Sequence, residues 1–259
     1  VPAHRTGYGR SMFADPWFLL AACIAVILIG LAKGGFSGLG ALATPVLALA
    51  TGPVQAAAIL LPLLIASDVV SVWSFRRDWN RRIVAIMLPG ALLGIALGWL
   101  IAARLPVAAI MAALGLISVG FGVWRLWVER GGRMPAPTRA SPLTGAAFGV
   151  ATGFTSQIAH AGGPPFQIWV TPQRLPHTEY VGTNAILFAI INWAKVPAYI
   201  ALGEFGAANL TASAALAPLA IASTLAGVWL VRRVHGARFY TIVYLLMIGL
   251  GIKLLIDAV

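Results

Sequence analysis

Between Arg82 and Arg104 the chain runs for 21 residues without one charged side chain. No water-facing surface can be built on such a run, and about 20 apolar residues in a helix match the hydrocarbon thickness of a bilayer. Six apolar runs of about this length are legible: Pro53–Phe75, Ile83–Ala103, Val107–Val128, Tyr180–Leu202, Leu210–Val231 and Phe239–Ala258. Backbone in lipid must satisfy its own hydrogen bonds, so these runs are helices. The chain is expected to be an all-α polytopic membrane protein. Composition agrees, with 60% hydrophobic residues, 10% charged and a mean hydropathy of +0.90.

The formal net charge of +11 would point to nucleic acid in a soluble chain. Here the arginines crowd into the joints "RRDWNRR" (76–82), "ERGGRMPAPTRASP" (129–142) and "RRVHGAR" (232–238). That is the positive-inside bias, so the partner is the lipid bilayer and no nucleic acid is expected. Residues 1–16 read as a tail without the apolar core of a signal peptide. The single cysteine, Cys23, allows no internal disulfide and no cysteine metal site. Without a Cys pair, an HExxH string or a Walker loop, no metal, no cofactor and no direct use of ATP are expected.

Two further apolar stretches, Trp17–Ala50 and Leu143–Thr171, behave differently. A helix of 34 residues would be about 51 Å long, too long for one straight span. Glycine and proline interrupt both, at "GLAKGGFSGLGALATP" (30–45) and "AHAGGPPF" (159–166). An offset of 119 aligns Gly30/Gly149, Gly34/Gly153, Ser37/Ser156 and Pro45/Pro164. An offset of 129 aligns Pro89/Pro218, Gly98/Gly227, Arg104/Arg233 and Gly122/Gly251. The chain therefore reads as a tail (1–16), a first repeat (17–128), a joining loop (129–142) and a second repeat (143–259). Each repeat is a broken or re-entrant Gly-rich helix plus three transmembrane helices. If each broken stretch crosses once, loop arginines divide nine inside and five outside; if each dips in and returns, eleven lie inside and three outside. The second division fits the charge rule better and inverts one half relative to the other, a pattern of secondary transporters.

Irregular backbone at membrane depth is tolerated where protein or a water-filled cavity satisfies it. A half-helix restarting after each break aims amides and a positive dipole end at the break, which suits a small anion. The expected substrate-binding set is Lys33, Gly34, Gly35, Ser37, Gly38 and Thr44 from the first break. Thr155, Ser156, Gln157, His160, Gly162 and Gly163 come from the second, and Thr183 and Asn184 from "VGTNA" (181–185). Blander roles compete. Glycines can serve packing alone, Lys33 can snorkel, His160 can be a neutral core residue, and hydroxyls can bond back to their own helix. Asp68, Asn192 and Lys195 lie inside spans and are candidates for coupling or structural charge. Asp68 could pair with Lys195 or with Lys33, or carry a proton. Arg125 and Lys253 sit near span ends and read as interface anchors.

Taken together, "KGGFSGLG", "LPGALLGIALG" (88–98), "GGPP" and "VGTNA" resemble the TauE/SafE family of sulfite exporters (TSUP) over nearly the whole chain. The resemblance implies a bacterial inner-membrane (cytoplasmic-membrane) carrier, not an enzyme, for sulfite or a small organosulfur anion such as a sulfonate. The residues alone say only "small anion". The second break departs from the family, with Ser156, Gln157 and His160 where glycine is usual, which bears on substrate choice and makes protons candidate coupling ions through His160. A channel or carrier for another small ion is the alternative, though the breaks offer Lys33 and His160 and no acid. "GFSG" (35–38) and "AHAGG" (159–163) also resemble the strings of rhomboid intramembrane proteases, with Ser37 as nucleophile and His160 as base. Their separation of 123 residues argues against that remote alternative.

Overall fold

The computed structural model describes residues 12–36, 38–102, 104–132, 141–231 and 237–258. Most of the expected tail, Ser37, most of the joining loop and the arginine joint at 232–236 lie outside the described residues. The described helices are α1 (Pro16–Lys33), α2 (Gly40–Thr51), α3 (Pro53–Phe75), α4 (Arg81–Ala102) and α5 (Val107–Glu129). They continue with α6 (Pro142–Ala159), α7 (Gly163–Val170), α8 (His177–Ala201), α9 (Ala207–Val231) and α10 (Ala237–Asp257). No strand occurs among the described residues, and α1, α3, α4, α5, α8 and α9 are long and apolar enough to cross a membrane. The chain is an all-α polytopic membrane protein. Its lipid-facing apolar surface includes Trp73, Leu100, Trp127 and Trp229, all more than half exposed.

Both broken stretches double back. Asp15 caps α1 by accepting the Trp17 amide at 2.9 Å, and Pro16 opens the helix. After Lys33 the chain turns through Gly35 and Gly38, whose φ angles of +127° and +105° suit glycine. α2 then returns, because the Gln55 amide at the start of α3 lies 3.3 Å from Met12 Sδ, just ahead of α1. In the second stretch the Trp169 indole donates to Thr144 Oγ1 at 3.3 Å, which puts the end of α7 beside the start of α6. Each stretch thus returns to the end of the bundle it entered from.

The hairpins open at opposite ends. At the Met12 end, Gln55 also donates to Asn209 at the start of α9, at 3.2 Å. At the other end the Asn80 backbone N–H donates to the Thr183 hydroxyl and its side-chain amide to Glu179, both at 2.8 Å, tying the α3–α4 turn to the start of α8. Gly145, near the start of α6, abuts Ile86 and Trp169 at this same end. Of the described loop arginines, Arg76, Arg77, Arg81, Arg82, Arg130 and Arg174 lie at the Asn80 end and Arg104 at the Met12 end.

The long arm of each hairpin packs against a helix of the other half. A Cβ on Gly34 of α1 would lie 2.5 Å from the Gly227 backbone of α9. A Cβ on Gly153 of α6 would lie 1.9 Å from the Ala91 carbonyl oxygen of α4. Gly90, Gly94 and Gly98 meet Ala146, Val150 and Gln157 along that same seam. Glycine stripes let these backbones touch, as packing in lipid rewards. Of the two expected anchors, Arg125 donates to the Tyr244 hydroxyl at 2.9 Å and pairs with Glu129 at 3.5 Å, while Lys253 pairs with Asp257.

Candidate functional site

Where the two breaks face each other, α1, α2, α3, α6, α7 and α8 line a cavity of about 80 Å³. Its polar side chains come from both hairpins and from α8. Ile29, Ala43, Leu64 and Phe188 supply an apolar wall.

Lys33, in the last turn of α1, is 7% exposed. Its ammonium pairs with the Asp68 carboxylate of α3, and the Asn192 amide of α8 donates to the second Asp68 oxygen at 2.6 Å. The Phe188 ring lies 5.5 Å from Lys33 Nζ, a further favourable contact for a cation. The Ser71 hydroxyl donates to the Lys33 carbonyl at 2.7 Å, filling an acceptor orphaned by the helix end. Lys33 therefore lines the cavity with its charge already matched. Of the two pairings the sequence left open for Asp68, the one with Lys33 forms.

Lys195 of α8 is 0% exposed. Its Nζ lies 2.7 Å from His160 Nδ1 and donates to the Ser156 hydroxyl at 3.2 Å and the Ser156 carbonyl at 3.3 Å. His160 Nε2 is 2.8 Å from the Ala57 carbonyl. A carbonyl only accepts, so Nε2 carries the proton, and Nδ1 is left to accept from Lys195; the imidazole is neutral. Tyr199 stacks on that ring at 5.9 Å and donates to the Gln157 carbonyl at 3.2 Å. Among the described residues no carboxylate pairs with Lys195. As an ammonium it gives the cavity wall one uncompensated positive charge.

His160 also ends α6, with φ of +52°. The left-handed conformation costs a residue with a Cβ about 1–2 kcal/mol, and glycine is its usual occupant. The imidazole is thus held at a backbone position that would be easier without it. Both ring nitrogens are engaged, one by Lys195 and the other by the Ala57 carbonyl.

Of the expected binding residues, Lys33, Gly38, Thr44, Ser156, His160, Gly163 and Asn184 line the cavity, as do Asn192 and Lys195. Asp68 stands behind Lys33. The others lie elsewhere. Gly34 packs on α9, Gly35 faces Val231, and Gly162 faces Thr152 and Phe188. Thr155 bonds back to the Ala151 carbonyl at 2.7 Å, and Thr183 holds the α3–α4 turn. Gln157 is buried against Gly98. The half-helix amides are also less free than the sequence implies. Ala41 and Leu42 N–H close turns onto the Gly38 and Leu39 carbonyls, and Pro164 and Pro165 have no N–H to offer. The cationic character rests on the two lysines. Gln167 and Phe188 also line the cavity and were not anticipated. Gln167 carried a usable signal, as one amide inside a short apolar helix.

A polytopic helical bundle whose two re-entrant hairpins meet at a buried, cationic cavity is a membrane transport protein in its design. The family model "Sulfite exporter TauE/SafE" matches residues 22–254, and the chain belongs to that family of membrane transporters. No curated protein matches the chain, and no solved structure does.

Proposed function

We propose that the protein is a secondary carrier for sulfite or a small sulfonate-like anion, working by alternating access at the cavity between the two hairpins. The observation that carries this reading is Lys195, buried in the cavity wall with no carboxylate partner among the described residues. A buried ammonium calls for an anion, and Asn184, Asn192, Ser156 and Gln167 supply donors for oxyanion oxygens around it. A cation reading fits less well, since Asp68 is occupied by Lys33 and Asn192. The opposed hairpins favour an inverted duplication of 17–128 and 143–259. One half rocking against the other would expose the site to alternate faces. The arginine-rich Asn80 end is then the cytoplasmic face of a bacterial inner membrane.

The test is efflux of labelled sulfite from proteoliposomes. Wild-type flux that falls at least about tenfold in Lys195→Ala and in Lys33→Ala, with folded protein, is the expected result. Absence of flux in well-folded wild type would remove sulfite as the substrate. Full flux in Lys195→Ala would remove the site.

A further inference from the structure

We propose that Lys195 carries the coupling proton: it holds the anion as an ammonium and returns without it as a neutral amine. This rests on the anion-carrier reading above. It moves the proton from His160, where the sequence placed it, to the lysine that His160 faces.

The two cavity lysines differ in one respect. Lys33 is fixed as a cation by Asp68, whose other oxygen is held by Asn192. Lys195 has neutral partners only: the His160 imidazole and the hydroxyl and carbonyl of Ser156. The other ionisable groups around it are Lys33 from α1 and Asp68 from α3, within electrostatic reach, and Tyr199 one turn along its own helix. An ammonium in this position is tolerable beside an anion and expensive alone, because nothing else neutralises it in a low dielectric.

An alternating-access carrier crosses twice per cycle, once loaded and once unloaded. The same three partners serve both forms of Lys195. His160 Nδ1 accepts an N–H from an ammonium or an amine. The Ser156 hydroxyl accepts from the ammonium and can turn to donate to the amine lone pair. The step balances as Lys–NH₂ plus H⁺ plus X⁻ giving Lys–NH₃⁺·X⁻ on one face, and the reverse on the other. One proton travels with each monoanion in the same direction, and no net charge moves.

The experiment uses proteoliposomes loaded with labelled sulfite or with methanesulfonate, which binds no proton of its own near neutral pH. Two modes are compared: net efflux into anion-free buffer, with internal pH followed by a dye, and exchange with the same anion on both sides. Exchange needs only the loaded form; net efflux also needs the unloaded return. Lys195→Arg keeps a permanent cation, so the ratio of net efflux to exchange should fall more than about tenfold below the wild-type ratio. Net efflux at the wild-type rate in Lys195→Arg would overturn the assignment. Should arginine not fit, wild-type stoichiometry decides: one proton per methanesulfonate supports it, and none overturns it. Absence of flux for both anions in the wild type would sink the carrier reading and this inference with it.

Discussion

The Asn192 amide donates to the Asp68 carboxylate at 2.6 Å, joining the sixteenth residue of α8 to the sixteenth residue of α3. The helices run in opposite directions, and α8 starts at the end of the bundle where α3 finishes. Their separation of 124 positions lies between the offsets of 119 and 129 that align the breaks and the later helices. Lys33 completes the junction from α1. One carboxylate thus holds together the first hairpin, the first half and the second.

Asp68→Asn should leave the Lys33 ammonium buried without its counter-charge. Breaking one side of a buried pair costs about 3–5 kcal/mol, so the detergent melting temperature and yield should drop sharply. Lys33→Met combined with Asp68→Leu should recover the melting temperature and not the flux. A wild-type melting temperature in Asp68→Asn would show that the pair does not hold the hairpin.

The seam between α4 and α6 makes a packing prediction. Gly153→Ala forces a methyl against the Ala91 carbonyl oxygen and should cost about 1–3 kcal/mol as the helices separate. Gly249→Ala, with nothing within 4 Å of its added methyl, should be neutral or mildly stabilising. Thermal melting of the two variants side by side is the measurement; equal melting temperatures would contradict the seam.

Thr183 and Asn184 are neighbours in sequence with different expected roles. Thr183 accepts the Asn80 amide and donates to the Glu179 carbonyl at 2.6 Å, so Thr183→Val should lower stability by about 1–2 kcal/mol and leave the KM for transport unchanged. Asn184→Ala should raise KM several-fold with little change in melting temperature. The reverse pattern would exchange the two assignments.

His160→Gly tests why an imidazole occupies a left-handed cap. The backbone should relax by about 1 kcal/mol, offsetting the lost Ala57 bond, so the fold should survive. Transport should fall, because Lys195 loses its acceptor. His160→Gln, which can still present an oxygen to Lys195, should retain more flux than glycine. Wild-type flux in His160→Gly would reduce the ring to a structural cap.

The architecture was largely legible because its signals are physical and local. Apolar runs of bilayer length gave the spans, and Gly and Pro at the centres of two overlong runs gave the breaks. The charge count favoured returning hairpins, as the contacts of Met12 with Gln55 and of Thr144 with Trp169 describe. The site was legible more coarsely. Lys33, Asp68, Asn192 and Lys195 stand out as polar residues in lipid, but which lysine meets Asp68 depends on how two halves dock. Gly34 and Gly35 illustrate a different limit: a missing Cβ serves a backbone contact and an anion site equally well, and sequence does not separate them. Phe188 was hidden because an aromatic side chain in an apolar helix carries no mark of the cavity it faces.

The crossed packing of the hairpins bears on biogenesis. α1 is made well before α9, yet the partner that meets Gly34 at its end is Gly227 of α9. About 190 further residues must be made before that surface is covered. Until then the first hairpin, with Lys33 at its tip, has to be sheltered by the insertion machinery or wait at the bilayer interface. A helix inserted ahead of α9 is thus locked in place only after α9 arrives, and separately expressed halves should each be left with an open seam.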